Sequence, residues 1–260
     1  MRIIGIIPAR MESSRYPGKP LAKIHGIPMV GHCYLRSRMC ALLDDVYVAT
    51  CNQEVMDYIA SIGGQAIMTA NTHERASDRA AEAMLKAEVM TGKRTDVVVM
   101  IQGDEPMLTP EMLAQAIAPM KQDPTIQVLN LVGDIASREE HDDPNEVKVV
   151  VDMRGNALYF SREPIPSWKK GAKMLPMKKQ ICIIPFRRDY LLRFNSLPQT
   201  PLEIAESVDM LRVLEHGDQV RMVPTSIETY SVDTPEDLRD VEAAMESDVL
   251  MGQYRHLARP

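Results

Sequence analysis

A chain of 260 residues, 45% hydrophobic and 25% charged, has ordinary globular composition, and it is long enough to bury a sizeable core in one large α/β domain or a domain with a lobe. Its net charge of −6 argues against a nucleic-acid partner, because phosphate backbones are met by basic faces, so any anionic ligand has to be met by a local cluster of cations. Cys33, Cys40, Cys51 and Cys182 show neither a C-x-x-C pair nor metal-ligand spacing, which fits reduced thiols and predicts a cytoplasmic protein.

The first apolar run, 3–7, is β-branched and is stopped by Pro8 and Arg10, so it reads as a buried strand, too short for a signal segment or a membrane span. No later run is long enough either, and no membrane partner is expected. Further strands are predicted at 46–49, 66–68, 97–101, 128–132, 147–151, 157–160, 181–184 and 220–223. Helices are predicted at 54–62, 77–90, 110–120 and 201–215. Strand and helix alternate through the first half, which predicts a doubly wound, mostly parallel sheet. From about Asp142 the strands crowd together around a Pro-, Lys- and Met-rich connection at 163–179, which predicts a smaller β-rich lobe.

The expected organisation is an α/β core at 1–141, a lobe at 142–200, a return to the core at 201–247 and a fraying tail at 248–260. The last core helix should start at Thr234-Pro235, with Thr as N-cap and Pro in the first helical position.

Directly after the first strand comes Arg10-Met11-Glu12-Ser13-Ser14-Arg15-Tyr16-Pro17-Gly18-Lys19-Pro20, at the place where open α/β sheets put their ligand crevice. Arg10, Arg15 and Lys19 are cations in one irregular segment, with Ser13, Ser14 and the Gly18 amide as neutral donors. A triphosphate needs such fixed cations, and needs them more as charge develops on leaving pyrophosphate. The segment is neither a P-loop nor a dinucleotide fingerprint.

The run 97–101 ends in Gln102-Gly103-Asp104-Glu105-Pro106, again at a carboxyl-end crevice edge, and Asp233 stands just before the last helix. Two such carboxylates suit Mg²⁺, which is held by one or two carboxylates plus substrate phosphates. Each segment also has a structural reading: a solvated basic loop, a Gly-Asp-Glu-Pro turn, and an Asp that assists a helix N-terminus.

Together these segments resemble the CTP:3-deoxy-manno-octulosonate (Kdo) cytidylyltransferases, a family of the nucleotide-diphosphosugar transferase fold. The resembling stretches are 6–10 with 14–21, 102–106, Pro144-Asn145-Glu146-Val147-Lys148-Val149-Val150, Ala157-Leu158-Tyr159-Phe160-Ser161-Arg162, Leu211-Arg212-Val213-Leu214 and 232–238, in family order across nearly the whole chain.

The resemblance implies transfer of CMP from CTP to a small acidic sugar with release of pyrophosphate, in lipopolysaccharide biosynthesis. It implies that Arg10, Arg15 and Lys19 grip the triphosphate, with Ser13 beside them, and that Asp104 and Asp233 ligate Mg²⁺. Pro8 and Ala9 would approach the base, Gln102 the ribose or acceptor, and Arg79 would end a nucleotide-facing segment. Arg162, Gln180 and Asp209 would face the acceptor, with Arg162 toward its carboxylate and Lys178 and Lys179 adding positive charge. His73 would position rather than act as a base. A homodimer through the lobe is implied as well.

The acceptor half departs from the family pattern. The expected H-x-S-G-T-[DE]-R reads His73-Glu74-Arg75-Ala76-Ser77-Asp78-Arg79, and a His, a Tyr and a Gln on the sugar side become Gln180, Ile184 and Met210. Loss of polar partners changes which hydroxylated substrate a site prefers. A modified or shorter acidic sugar, or another small hydroxy or phosphonic acid, is therefore an alternative acceptor, and a non-catalytic nucleotide-binding regulatory protein is the alternative from another class. The 19 methionines suggest core filling rather than a cofactor site.

Overall fold

The structure is a computed structural model and describes residues 1–12, 16–171, 175–228 and 230–258. Its strands are β1 (Ile3–Ala9), β2 (Lys23–Ile24), β3 (Ile27–Pro28), β4 (Asp45–Thr50), β5 (Ala66–Met68), β6 (Val97–Ile101), β7 (Leu129–Asp134), β8 (Lys148–Val151), β9 (Ala157–Ser161), β10 (Lys178–Ile181), β11 (Ile183–Arg187) and β12 (Arg221–Pro224). Its helices are α1 (Met29–Arg38), α2 (Gln53–Ser61), α3 (Ala76–Thr91), α4 (Pro110–Gln122), α5 (Arg138–Asp142), α6 (Arg188–Ser196), α7 (Pro201–Glu206), α8 (Met210–Glu215), α9 (Pro235–Ala244) and α10 (Val249–Tyr254).

The main sheet has the order β11-β6-β1-β4-β5, with β4, β5 and β6 joined in parallel to or through β1 and only β11 antiparallel. β1 and β6 are apolar at nearly every position because both faces of the sheet are covered. Alternate residues go to opposite sides. Ile3, Ile7, Val97, Val99 and Ile101 pack with α1, α2, α4, α9 and α10, while Ile4, Ile6, Val98 and Met100 pack with α3, α6 and α8. This is the doubly wound α/β arrangement.

A second sheet, β12-β7-β10-β8-β9, is antiparallel except for the β12 and β7 pair. It draws β7 and β12 from outside 142–200, whereas β11, inside that range, completes the main sheet.

Three local expectations are corrected. The strand expected at 181–184 is two strands, β10 in the second sheet and β11 in the main one, and Cys182 is the residue at which the chain passes between them. The helix expected at 201–215 is broken into α7 and α8, because Ser207 takes a left-handed conformation at φ 52° that ends α7. The tail expected to fray instead forms α10, where Met251 and Tyr254 are buried against α1. Its Tyr254 hydroxyl meets His32 Nδ1 at 2.7 Å and accepts from Arg36 Nε at 2.9 Å, a tertiary tie that weak local periodicity does not reveal.

Candidate active site

The strand order reverses between β4 and β6, on either side of β1, and the ends of β1 and β6 therefore part to leave a crevice. Gly103 lets them stay close: a Cβ there would stand 2.9 Å from the Pro8 carbonyl oxygen, nearer than real contacts allow. The crevice widens into a cleft of about 310 Å³ lined by Pro8 and Ala9 of β1 and Arg10 just after it, by Lys19 and Pro20, and by Gln102, Gly103 and Asp104 after β6. Residues 73–76 and Arg79 form another wall, and Asp233 and Met29 complete the lining.

The residues expected at the nucleotide end thus come together, apart from Ser13 and Arg15, which lie outside the described residues along with Ser14. At the centre the Lys19 ammonium donates to Asp104 Oδ2 at 2.8 Å, to the Val232 carbonyl at 2.8 Å and to Asp233 Oδ1 at 3.2 Å. Burial would lower the pKa of this ammonium, but the charges of Asp104 and Asp233 outweigh burial and move it upward, so Lys19 stays a cation. Lys19 is presented by one tight turn. Gly18 adopts φ 78°, its amide donates to the Met11 carbonyl at 2.9 Å, and Lys19 follows as the first residue of a single 3-10 turn.

Asp233 is fixed by a capping box. The Thr234 hydroxyl accepts from the Asp237 amide at 3.2 Å, while Asp237 Oδ2 accepts from the amides of Thr234 and Asp233 at 2.8 and 2.9 Å. The acid that serves the helix terminus is Asp237, and Asp233 lines the cleft. The Val232 amide donates to the Asp104 carbonyl at 2.9 Å and holds the two acidic segments side by side.

Among the described residues no group of three or more His, Cys, Asp or Glu side chains converges as a metal cage. Two carboxylates meeting on one cation form a different donor set. It is hard, all oxygen and incomplete, and it fits a Mg²⁺ whose remaining ligands are phosphate oxygens and water.

The Arg79 guanidinium is buried and donates from Nη1 to Thr69 Oγ1 at 2.6 Å and to the Ala70 carbonyl at 3.2 Å, so it braces the wall it lines. His73 pairs with Glu82. The Glu82 carboxyl sits at about 2: burial would raise it, but hydrogen bonds from Lys86, the Ala70 amide and His73 together draw it down. An imidazole held by that carboxylate is fixed in orientation.

Glu105, next to Asp104, points the other way. It is buried, Oε1 accepts from the Cys182 amide at 3.3 Å, and burial followed by the Asp104 charge pushes its carboxyl up to about 7.

The residues expected on the acceptor side are dispersed. The Arg162 guanidinium donates to the carbonyls of Glu206 and Pro144, each at 2.8 Å, and does not line the cleft. Gln180 Nε2 donates to Asn130 Oδ1 at 2.5 Å within the second sheet. Ile184 and Met210 belong to the core, 3% and 1% exposed. The positive charge expected of Lys178 and Lys179 is corrected, since Lys178 pairs with Asp134 at 2.7 Å and Lys179 with Glu140 and Glu146 at 2.7 and 3.1 Å.

Asp209 does stand by the cleft, through Arg75. The Arg75 guanidinium pairs with Asp209 and, at 3.1 Å, with Glu203 Oε1. Arg75 was visible in the sequence only as a large charged residue at a position expected to be small. Nothing local foretold its partners, of which Asp209 follows 134 residues later.

Residues 4–227 match the family described as Cytidylyltransferase. The chain is 42% identical over 251 residues to the 3-deoxy-manno-octulosonate cytidylyltransferase of Geobacter metallireducens, covering 93% of this chain and 96% of that one. It is 41% identical to the protein of the same name from Syntrophotalea carbinolica, over 94% and 98% of the two chains. Among solved structures, CMP:2-keto-3-deoxy-manno-octonic acid synthetase complexed with CTP superimposes with a TM-score of 0.87 at 39% identity, over 96% of this chain and all of that one. The 4-diphosphocytidyl-2C-methyl-D-erythritol synthase of Anaerococcus prevotii shares the fold, with a TM-score of 0.62 at 11% identity over 94% and 96% of the two chains.

Proposed function

The chain belongs to the cytidylyltransferase family, among the 3-deoxy-manno-octulosonate cytidylyltransferases, and from that premise we propose that its cleft transfers CMP from CTP to Kdo and releases pyrophosphate. The observation that carries this reading is the junction of Lys19 with Asp104 and Asp233 at the mouth of the β1 and β6 crevice.

A hydroxyl oxygen of the acceptor forms a bond to the α-phosphorus, the bond from that phosphorus to the bridging oxygen of the β-phosphate breaks, and the hydroxyl proton passes to solvent. Such a displacement needs alignment and charge neutralisation rather than a covalent nucleophile. Arg10 and Lys19 supply positive charge where the triphosphate lies, and the charge on Lys19 persists through the pH range of the reaction because two carboxylates hold its proton. Pro8, Ala9 and Gln102 form the floor on which base and ribose rest, with Arg79 and His73 bracing the adjoining wall. Asp104 and Asp233 would hold Mg²⁺, which would offset the negative charge of the triphosphate.

CTP with Mg²⁺ should raise the melting temperature, since a ligand that binds only the native state stabilises it by about 2.7 kcal/mol at a hundredfold excess over its dissociation constant. Parallel melts with CTP, UTP, ATP and GTP test the base preference. Equal shifts for all four would remove the case for cytidine. Pyrophosphate release with CTP and Kdo, set against other sugar acids and small hydroxy or phosphonic acids, tests the acceptor.

A homodimer is part of the proposal. β9 is an edge strand of the second sheet with Leu158 62% exposed, and Leu202 and Ile204 of neighbouring α7 are also exposed. An open edge beside apolar side chains is a surface that a second copy can cover. Light scattering at micromolar concentration should give twice the 29.2 kDa of the chain, and the single-chain mass would refute the dimer. Among the described residues no helix is long and apolar enough to cross a membrane.

A further inference from the structure

The cleft is lined by four cationic side chains, Arg10, Lys19, Arg75 and Arg79, and their surroundings give them different duties. Arg10 and Lys19 belong to the β1 side, where Lys19 is committed to Asp104 and Asp233. Arg79 spends its donors on Thr69 and on the carbonyls of Ala70 and His73.

Arg75 stands at the start of α3 with its side chain 20% exposed, and groups from the segment after α6 hold its guanidinium. Nη1 pairs with Asp209 and Glu203, while Nε and Nη2 converge on Gln199 Oε1 at 2.8 and 2.9 Å in the amide orientation that satisfies both groups. A guanidinium has five N–H donors, and this cradle engages four of them, leaving one on Nη2.

The cradle does two things. It fixes the plane of the guanidinium, so that little side-chain entropy is lost when a ligand binds. It also prevents Arg75 from swinging toward a triphosphate on the β1 side. Glu203 is shared with Arg212, which grips it at 2.6 and 2.7 Å, so the cluster of two carboxylates and two guanidinium groups is neutral overall, and what Arg75 offers a ligand is a fixed, directed N–H donor and no surplus charge.

We propose that Arg75 recognises the carboxylate of the acceptor and so sets acceptor specificity in this chain; this rests on the cytidylyl-transfer reading above. Arg162, expected in that role, keeps two of its donors on backbone carbonyls outside the cleft, and Lys178 and Lys179 pair with Asp134, Glu140 and Glu146 and do not line the cleft. A planar carboxylate placed on the free Nη2 donor forms a charge-assisted hydrogen bond, which an uncharged isostere reproduces only weakly. Asp209 then acts as a positioning residue, holding the group that touches the acceptor.

The test compares Kdo with its C1 carboxamide on the full chain, in the wild type and in Arg75→Gln and Arg75→Lys. Pyrophosphate release gives KM for acceptor and for CTP separately, and calorimetric titration of each acceptor in the presence of CDP and Mg²⁺ reads the same contact without turnover. The melting shift produced by CTP and Mg²⁺ verifies that each variant is folded, and Arg75→Lys keeps a positive charge beside Asp209 if Arg75→Gln does not fold.

In Arg75→Gln the KM for Kdo should rise about tenfold or more, the size expected for a lost hydrogen bond to a charged group, with KM for CTP unchanged. The preference for acid over amide should collapse in Arg75→Gln and be partly kept in Arg75→Lys. An unaltered acid-over-amide preference in both variants, or an effect falling on KM for CTP, would overturn the proposal. A folded wild type that turns over neither Kdo nor any other sugar acid would defeat the transfer reading instead, and the calorimetric preference would then decide the role of Arg75 by itself.

Discussion

Asp104→Asn and Asp233→Asn should each lower turnover by about 10² to 10³-fold, comparable to the loss when one preorganised charge-stabilising group is removed from an active site. Each substitution keeps the shape of the side chain and removes one of the two negative charges that hold Lys19 and that suit Mg²⁺. The remaining carboxylate is then shared between an ammonium and a divalent cation, and the metal is the weaker held of the two because Lys19 is covalently in place.

Stability should change little, because the two carboxylates are 26% and 23% exposed and a partly solvated pair contributes about 1 kcal/mol or less. That corresponds to about 2 to 4 °C in a chain of this size. Initial rates of pyrophosphate release across a Mg²⁺ titration, with melting curves alongside, check both parts. If the two Asn variants retain turnover within tenfold of the wild type at saturating Mg²⁺, the two-carboxylate arrangement is wrong.

The largest loss of stability should come from Arg212→Met, at about 3 to 5 kcal/mol, the usual consequence of removing one partner of a buried pair. Arg212 donates to both oxygens of Glu203, which is fully buried, and also to the carbonyls of Phe194 and Leu197, with its guanidinium 4.5 Å from the Phe194 ring centre. Methionine fills much of the volume but leaves the Glu203 carboxylate with Arg75 as its remaining cation. Because Arg75 would be drawn further toward Glu203, the damage should reach the cleft and weaken acceptor binding as well.

The exposed Arg94 and Asp189 pair is an internal control. Its contact of 2.8 Å is nearly as short, yet its side chains are 60% and 72% exposed, and Arg94→Ala should cost about 0.5 kcal/mol or less. Urea unfolding of both variants measures the contrast. Equal losses would mean that burial does not set the worth of these pairs.

Much of the nucleotide half was legible in the sequence, because its information is local. A β-branched run closing on Pro8 favours a short strand, which continues through Pro8 to Ala9, and a Gly-Asp after 97–101 falls at a strand end. Thr234-Pro235 with Asp237 specifies a helix start within four residues, and with it the position of Asp233. The ends of β1 and β6 then meet because parallel strands in a doubly wound sheet all point their carboxyl ends to one edge, so residues written after different strands gather in one crevice.

The acceptor half and the tail could not be read in this way. Whether Arg162 reaches the cleft depends on the Glu206 and Pro144 carbonyls that capture it, and whether Lys178 and Lys179 count as free charge depends on Asp134, Glu140 and Glu146 across the second sheet. Ile184 and Met210 fall on the sugar side by resemblance, yet packing puts both in the core.

Sequence alone determined the strand-helix alternation, the crevice-edge cations and carboxylates, and the family resemblance, since each is fixed by periodicity, turn chemistry or motif within about a dozen residues. Only the tertiary structure decided that Cys182 carries the chain from one sheet to the other, that α10 closes over α1, and that Arg75 rather than Arg162 faces the cleft. Those outcomes rest on side chains competing for partners well outside their own segment, 18 and 44 positions away for Arg162 and 134 for Arg75 with Asp209, and a charged group's duty is set by which partner it meets once the backbone has brought them together.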